Sequence, residues 1–139
     1  MNIIIVDGQG GMLGAQLVRE ITVRYPEISI SAVGTNATAT AAMIKAGAKR
    51  AATGENPVIV ACRKADVVIG PIGIVIADSL YGEVTPAMAL AVAQAEATRI
   101  LIPMNRCDNL VAGVGELTTS ALIGDVIAKL GKIIKEAKR

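Results

Sequence analysis

Short apolar runs alternate along the chain with stretches whose apolar residues recur every three or four positions. The first run spans residues 3–6, and the stretch that follows, residues 12–24, places Leu13, Leu17, Val18 and Ile21 on one helix face. Four more strands are predicted, with a possible sixth at 110–114, and four more helices. The strands are 28–33, 49–52, 67–70 and 100–102, and the helices are 37–46, a segment from Pro57 to Lys64, 85–95, and a last helix capped by Thr118, Thr119 or Ser120.

This alternation predicts right-handed crossovers and a parallel sheet that is covered by helices on both faces. We therefore expect one α/β domain over residues 1–139, doubly wound and Rossmann-like, with three α/β/α layers. Composition agrees, because hydrophobic residues make up 53% of the 139 residues while Phe and Trp are absent. A core of Ile, Val, Leu and Ala is typical of a buried parallel sheet.

Charge and cysteine content exclude several classes of protein. The net charge is only +2. Basic residues crowd the last helix, but no basic stripe runs through the rest of the chain and aromatic stacking platforms are missing, so no nucleic-acid partner is expected. No secretory leader is recognisable and no apolar run reaches the length of a membrane span, so we expect a cytoplasmic protein with reduced cysteines. Histidine is absent, and no cluster has the spacing of a metal site, so no metal is predicted.

The residues between the first strand and the first helix form a glycine motif. Gly8, Gly11 and Gly14 give G-x-x-G-x-x-G, and Gly8 with Gly10 gives G-x-G. Gly8 is expected to turn the chain with a positive φ, Gly10 and Gly11 to let an anion approach the backbone, and Gly14 to bring helix and strand together. A helix start of this kind binds phosphate through its unpaired N–H groups. The predicted cofactor-binding residues here are Gly8, Gln9, Gly10, Gly11, Met12, Leu13 and Gly14.

The end of the second strand lacks the carboxylate that usually binds a ribose in such folds. Thr35 and Asn36 stand there instead, and they are equally suited to ligand contact and to capping the next helix. The ligand could therefore be NAD, NADP or another nucleotide.

Further candidates follow the other strands, because ligands of open parallel sheets bind beyond the carboxyl ends of the strands. Gly70 and Pro71, with Gly73, form either a backbone surface for a ring or phosphate, or a stiff turn. Residues 53–56 follow the third strand. Asn105 is a further binding candidate, and Arg106 suits an anionic group. Weak candidates for catalysis are Asp78, Arg106 and Cys107, although Asp78 is also compatible with a solvent-facing position on a helix, and an unreactive thiol is the favoured interpretation of Cys107.

Several phrases of the sequence carry resemblances. Residues 4–18, IIVDGQGGMLGAQLV, resemble the start of the extended short-chain dehydrogenase/reductases, but the Tyr-x-x-x-Lys of those enzymes has no counterpart at Tyr25 or Tyr81. A closer resemblance, over nearly the whole chain, is to a small bacterial family known only as a domain of unknown function. It rests on VDGQGG, GTNATAT, ATGEN, IGPIGIVIADSLYGEVTP and IPMNRC, and it implies a Rossmann-like cytoplasmic protein without implying an activity.

Three hypotheses for function remain open at this point. The first is a nucleotide-binding protein without catalysis, the second a small NAD(P)-dependent oxidoreductase using the same crevice, and the third a scaffold whose glycines serve packing. Segment 84–95 is almost entirely apolar, which predicts a homodimer or a larger homo-oligomer.

Overall fold

A computed structural model describes residues 1–104 and 109–139, and within them five parallel strands form one sheet in the order β3-β2-β1-β4-β5. Every strand pair is parallel, as the alternating pattern predicts. The doubly wound α/β fold is thereby confirmed. The strands are β1 (Ile3–Asp7), β2 (Ile30–Gly34), β3 (Arg50–Thr53), β4 (Val67–Pro71) and β5 (Thr98–Ile102).

Helices cover both faces of the sheet. One core lies between the sheet and α1, α2 and α5, and the other lies between the sheet and α3, α4 and a short 3₁₀ helix. Alternate strand residues supply each core, so that Ile3 and Ile5 face the first and Ile4 and Val6 the second. The helices are α1 (Met12–Arg24), α2 (Ala37–Lys45), α3 (Glu55–Arg63), α4 (Pro86–Gln94) and α5 (Thr119–Ala137), and the 3₁₀ helix is Ile72–Val75.

Three helix starts follow the capping chemistry of their sequence. The side chains of Asn36, Thr85 and Thr118 each accept a hydrogen bond from the backbone N–H three residues on, at the starts of α2, α4 and α5. Pro86 takes the first position of α4, where its missing N–H costs nothing. Among the described residues, no helix is both long and apolar enough to cross a membrane.

Two predicted elements are wrong. Residues 110–114 form no strand, because Gly113 has a φ of 81° and breaks the run, and Leu110 is 93% exposed. The third helix begins at Glu55, so Pro57 is its third residue and not its first. Gly54, with a φ of 108°, turns the chain directly from β3 into this helix while its N–H still bonds to Gly34 of β2.

Candidate functional site

The neighbouring strands β1 and β4 mark the point where the order of strands reverses, which is where open α/β sheets bind ligands. Two segments meet beyond their carboxyl ends. We call residues 8–11, between β1 and α1, the glycine loop, and residues 76–85, between the 3₁₀ helix and α4, the strap. The sequence predicts that the first binds a ligand, whereas in the second it indicates only Asp78, as a weak candidate for catalysis.

Asp7 fastens the glycine loop to the sheet. Its side chain is 4% exposed, and its two carboxylate oxygens accept hydrogen bonds from the backbone N–H groups of Gly8 at 2.8 Å and Gly14 at 2.7 Å. Asp7 therefore orients the loop from the end of β1 through side-chain to backbone hydrogen bonds. Burial raises the pKa of Asp7, the two backbone hydrogen bonds oppose that rise, and the nearby Glu83 carboxylate adds to it.

Close packing accounts for three of the four glycines of the motif. A Cβ on Gly11 would stand 2.6 Å from Cα of Ala39 in α2, one on Gly8 would stand 2.4 Å from Oγ1 of Thr35, and one on Gly14 would stand 2.9 Å from Cβ of Asp7. The expected close approach at Gly14 is confirmed. The expected positive φ at Gly8 is wrong, since the left-handed residues of this loop are Gln9 (φ 51°) and Gly11 (φ 73°).

Gly10 differs from these three glycines. It is exposed, and the nearest atom to a Cβ built on it is Cγ of Met12, 3.9 Å away. Among the described residues, the backbone N–H groups of Gly10, Met12 and Leu13 have no hydrogen-bond partner, whereas that of Gly11 bonds to Gly8. The start of α1 therefore presents three unpaired donors beside an open surface, together with the positive end of the helix dipole.

Glu83 of the strap supplies a carboxylate that sequence reasoning missed as part of this site. Its Oε1 accepts hydrogen bonds from Gln9 N–H at 2.9 Å, from Thr35 Oγ1 at 2.7 Å and from Asn36 Nδ2 at 2.6 Å. Asn36 also caps α2, so the capping role is confirmed, while its contact with a ligand stays a prediction. No motif spacing could indicate Glu83, because it lies 74 residues from Gln9 along the chain.

These hydrogen bonds favour the ionised form of Glu83. Burial alone would raise the pKa of this half-buried carboxyl, but the donors of Gln9, Thr35 and Asn36 outweigh that effect and lower the pKa below its ordinary value of 4.5. Glu83 is consequently ionised at neutral pH. Within the described residues its second oxygen, Oε2, has no hydrogen-bond partner and remains available as an acceptor.

The strap reaches this position through an unusual backbone. Asp78 (φ 64°), Leu80 (φ 54°) and Tyr81 (φ 56°) are all left-handed without being glycine, and Gly82 follows with φ 85°. Leu80 is buried at 2% exposure against Gly8, while Tyr81 at the tip is 100% exposed. Strained backbone of this kind persists only where the surroundings hold it.

Internal hydrogen bonds hold the strap in this conformation. The N–H of Asp78 donates to the carbonyl of Val84 at 2.7 Å, and that of Val84 to the carbonyl of Ser79 at 3.2 Å. The buried hydroxyl of Ser79 also donates to the carbonyl of Gly73. The strap is therefore a defined structure that covers the end of β1.

The remaining candidates are explained by packing or by exposure to solvent, or they lie outside the described residues. Gly70 packs against Val6, since a Cβ there would stand 2.3 Å from the Val6 carbonyl oxygen, and Pro71 ends β4, which favours the turn over a ligand surface. Asp78 is exposed, as its solvent-facing interpretation predicts. The predicted site residues Asn105, Arg106 and Cys107 lie outside the described residues.

No group of three His, Cys, Asp or Glu side chains that could hold a metal occurs among the residues described. Cys62 is a free, buried cysteine, and burial raises the pKa of its thiol, which makes it a poor nucleophile.

Comparison with known proteins gives a family and no activity. The family described as a domain of unknown function (DUF3842) matches residues 2–135. The chain belongs to this family. No curated protein and no solved structure matches it significantly, and nothing in these comparisons supports a relationship to the short-chain dehydrogenase/reductases.

Proposed function

We propose that this member of the DUF3842 family binds a nucleotide at the switch point, with a phosphate group at the start of α1. The observation that carries the proposal is the set of unpaired N–H groups of Gly10, Met12 and Leu13 next to an open surface. Helix N-termini bind phosphate through such donors and through the helix dipole. Gly10 contributes by having no side chain in the path of the ligand.

Glu83 supports a more specific assignment of the ligand. Its free Oε2 stands next to Thr35 and Asn36 at the end of β2, which is where a carboxylate binds the ribose hydroxyl groups in related folds. A ribose with a free 2′-hydroxyl group, as in NAD, would donate to this oxygen. The 2′-phosphate of NADP would meet an ionised carboxylate, so we propose a preference for NAD over NADP.

Titration calorimetry with NAD, NADP and ATP tests the proposal. We expect binding of NAD by the wild type and at least about tenfold weaker binding by Gly10→Leu, because the new side chain would block hydrogen bonds worth about 1.5–3 kcal/mol each to a charged group. Gly115→Leu is the matched control, since a Cβ on Gly115 meets no atom within 4 Å and one on Gly10 meets only Cγ of Met12, at 3.9 Å. Glu83→Gln should narrow the difference in affinity between NAD and NADP.

Absence of binding by any of these nucleotides, or equal binding by wild type and Gly10→Leu, would contradict the proposal and favour a packing role for the whole motif. The alternative of an NAD(P)-dependent oxidoreductase in the same crevice stays a prediction from sequence. No residue that the structure describes has a geometry that favours a hydride-transfer step over binding, so the proposal is confined to binding.

A further inference from the structure

A groove between α1 and α5 contains basic side chains that the proposed nucleotide site does not use. Its volume is about 610 Å³, within the range of small-molecule sites, and we call it the basic groove. Of the described residues that line it, none is acidic and four are basic, namely Arg24, Lys132, Lys135 and Lys138. Arg24 is the last residue of α1, so the groove lies about 18 Å from the start of that helix, where the nucleotide phosphate is proposed to bind.

These four cations have no anionic partner in the described part of the chain. None of them forms an ion pair or a side-chain hydrogen bond there, and Lys132 does not pair even with Glu136, which lies one helical turn away. Lys129 of the same helix lies outside the groove and does pair with the carboxylate of Asp125. The three lysines of the groove recur every three residues, so like charges are neighbours on α5, which is unfavourable until an anion neutralises them.

The helix dipole explains only part of this charge. It favours cations in the last turn of a helix, which includes Arg24 of α1 and Lys135 of α5. Lys132 precedes the last turn of α5, which ends at Ala137, and it still lines the same groove. The groove therefore holds more positive charge than the two helix ends require.

Small residues and a free hydroxyl group complete the groove. Gly124, Ala128 and Gly131 lie on one stripe of α5 and leave room along the helix. A Cβ on Gly131 would stand 2.8 Å from the hydroxyl oxygen of Tyr25, so the missing side chain lets this hydroxyl lie against α5. The half-buried Tyr25 hydroxyl has no hydrogen-bond partner within the described ranges, and it adds a neutral donor to the four charged side chains.

We propose that the basic groove binds a small molecule that carries several phosphate groups. Arginine and lysine are the side chains that bind phosphate, arginine through two parallel hydrogen bonds. The three lysines extend over six residues of α5, about 9 Å, a length that a short chain of phosphate groups can follow. Ile127, Ile134 and the ring of Tyr25 supply an apolar wall for the organic part of the molecule.

The spacing of the charges favours such a molecule over an acidic segment of a protein partner. An extended peptide directs its side chains to one side only at every second residue, about 7 Å apart. Two carboxylates at most would then lie along the three lysines, whereas one triphosphate brings at least three negative charges to the same length. The four cations therefore match a compact polyanion better than a peptide.

Titration calorimetry with inorganic triphosphate tests the groove, in protein that carries Gly10→Leu to close the proposed phosphate site at the start of α1. We expect this protein to bind triphosphate. Lys135→Glu should weaken the binding at least about tenfold, because it removes a charge-assisted hydrogen bond and adds repulsion. Lys129→Glu is the matched control, since it reverses a lysine of the same helix outside the groove, and it should weaken binding less than about threefold.

A second pair of variants tests the groove without changing its charge. Ala128→Leu fills the groove and should weaken the binding of triphosphate, whereas Ala121→Leu, also exposed on α5 but outside the groove, should leave it unchanged. Circular dichroism of each variant verifies that the fold is kept.

Tyrosine fluorescence locates the bound triphosphate independently of Gly10→Leu. The chain has two tyrosines and no tryptophan, so Tyr81→Phe leaves Tyr25 as the only emitting side chain. Its emission should change when triphosphate binds beside its hydroxyl group.

Three results would overturn the proposal. The first is no binding of millimolar triphosphate by the Gly10→Leu protein, and the second is equal weakening by Lys135→Glu and Lys129→Glu, which would indicate general charge attraction. The third is tighter binding of a hexaglutamate peptide than of triphosphate, which would identify an acidic protein segment as the occupant. None of these results bears on the binding of NAD by the wild type, so the two sites are tested separately.

Discussion

The glycine loop and the strap meet above β1, and both contain left-handed backbone, but their local sequences differ. In the glycine loop the left-handed residue next to the helix is Gly11, which adopts this conformation without a side-chain clash. In the strap Leu80 and Tyr81 adopt it at a cost of roughly 1–2 kcal/mol each. The left-handed turn next to the helix therefore follows from a local glycine, although Gln9 (φ 51°) in the same loop is left-handed too. The left-handed residues of the strap are not glycine and depend on its internal hydrogen bonds and on the packing of Leu80.

The largest effect is expected from a side chain inside the glycine loop. Gly11→Ala should lower the free energy of unfolding by about 3–5 kcal/mol, because its Cβ overlaps the backbone of Ala39 and its φ is positive. Gly10→Ala is the matched control, one residue away with open space around it, and should change stability by less than about 1 kcal/mol. Urea unfolding measures both. Equal losses at the two positions would mean that the close packing at Gly11 does not limit the loop.

The same contrast explains how much of the molecule the sequence predicts. Residues 12–24 were predicted as α1 with the bounds that the structure has, because a glycine motif precedes the helix and Tyr25-Pro26 follows it. These are local signals. The prediction of a strand at 110–114 depends on apolar residues alone, and the positive φ of Gly113 interrupts the extended backbone there.

Glu83 shows why the part of the candidate site that the strap supplies could not be predicted from the sequence. Its neighbours in sequence give it no special signal, and its contacts with Gln9 and Thr35 exist only because the strap folds back over β1. Left-handed residues that are not glycine are uncommon, so no turn pattern predicts that path. The sequence shows that a carboxylate is missing from the end of β2, but only the fold shows where another carboxylate lies.

A second test concerns what holds the strap. Leu80→Ala should lower the free energy of unfolding by about 2–4 kcal/mol, because it removes a side chain that is 2% exposed and leaves the left-handed backbone without its main anchor. Tyr81→Ala, at 100% exposure, is the control and should stay within about 0.5 kcal/mol of the wild type. If Leu80→Ala were as mild as the control, the strap would be held by its hydrogen bonds alone.

A smaller and pH-dependent effect is expected where the strap meets the glycine loop. Glu83→Gln should lower the free energy of unfolding at pH 7 by about 1–2 kcal/mol, since a neutral amide accepts the three hydrogen bonds less strongly. The pKa of Glu83 is lowered in the folded state, so its stabilisation is complete above the ordinary value of 4.5 and is lost as the pH falls through the folded pKa. The difference between wild type and variant should shrink accordingly in acid.

Asp7 changes stability with the opposite sign. The pKa of Asp7 is raised in the folded state, so the contribution of Asp7 to the free energy of unfolding falls as the pH rises above the ordinary value of 3.8. Wild type and Glu83→Gln share this effect, which differs between them only through the repulsion between Asp7 and Glu83. Glu96→Gln, at an exposed position, is the control for loss of a carboxylate. Urea unfolding at pH 7 and at pH values below 4.5 measures the difference in the free energy of unfolding between wild type and Glu83→Gln. A difference that stays constant with pH would show that the hydrogen bonds do not favour the ionised form of Glu83.

The smallest effect tests the strain in the strap directly. Tyr81→Gly should raise the free energy of unfolding by about 0.5 kcal/mol, because relief of the left-handed conformation, roughly 1–2 kcal/mol, exceeds the added entropy of the unfolded chain, roughly 0.4–1 kcal/mol. The next residue offers the reverse change: Gly82→Ala should cost about 1 kcal/mol, since a Cβ there meets no atom within 4 Å and only its φ of 85° opposes it. Neither change removes a packed contact. Thermal unfolding measures the change in the free energy of unfolding for Tyr81→Gly and for Gly82→Ala. Changes of opposite sign would locate the strain in the backbone, while changes of the same sign would mean that the strap relaxes around either residue.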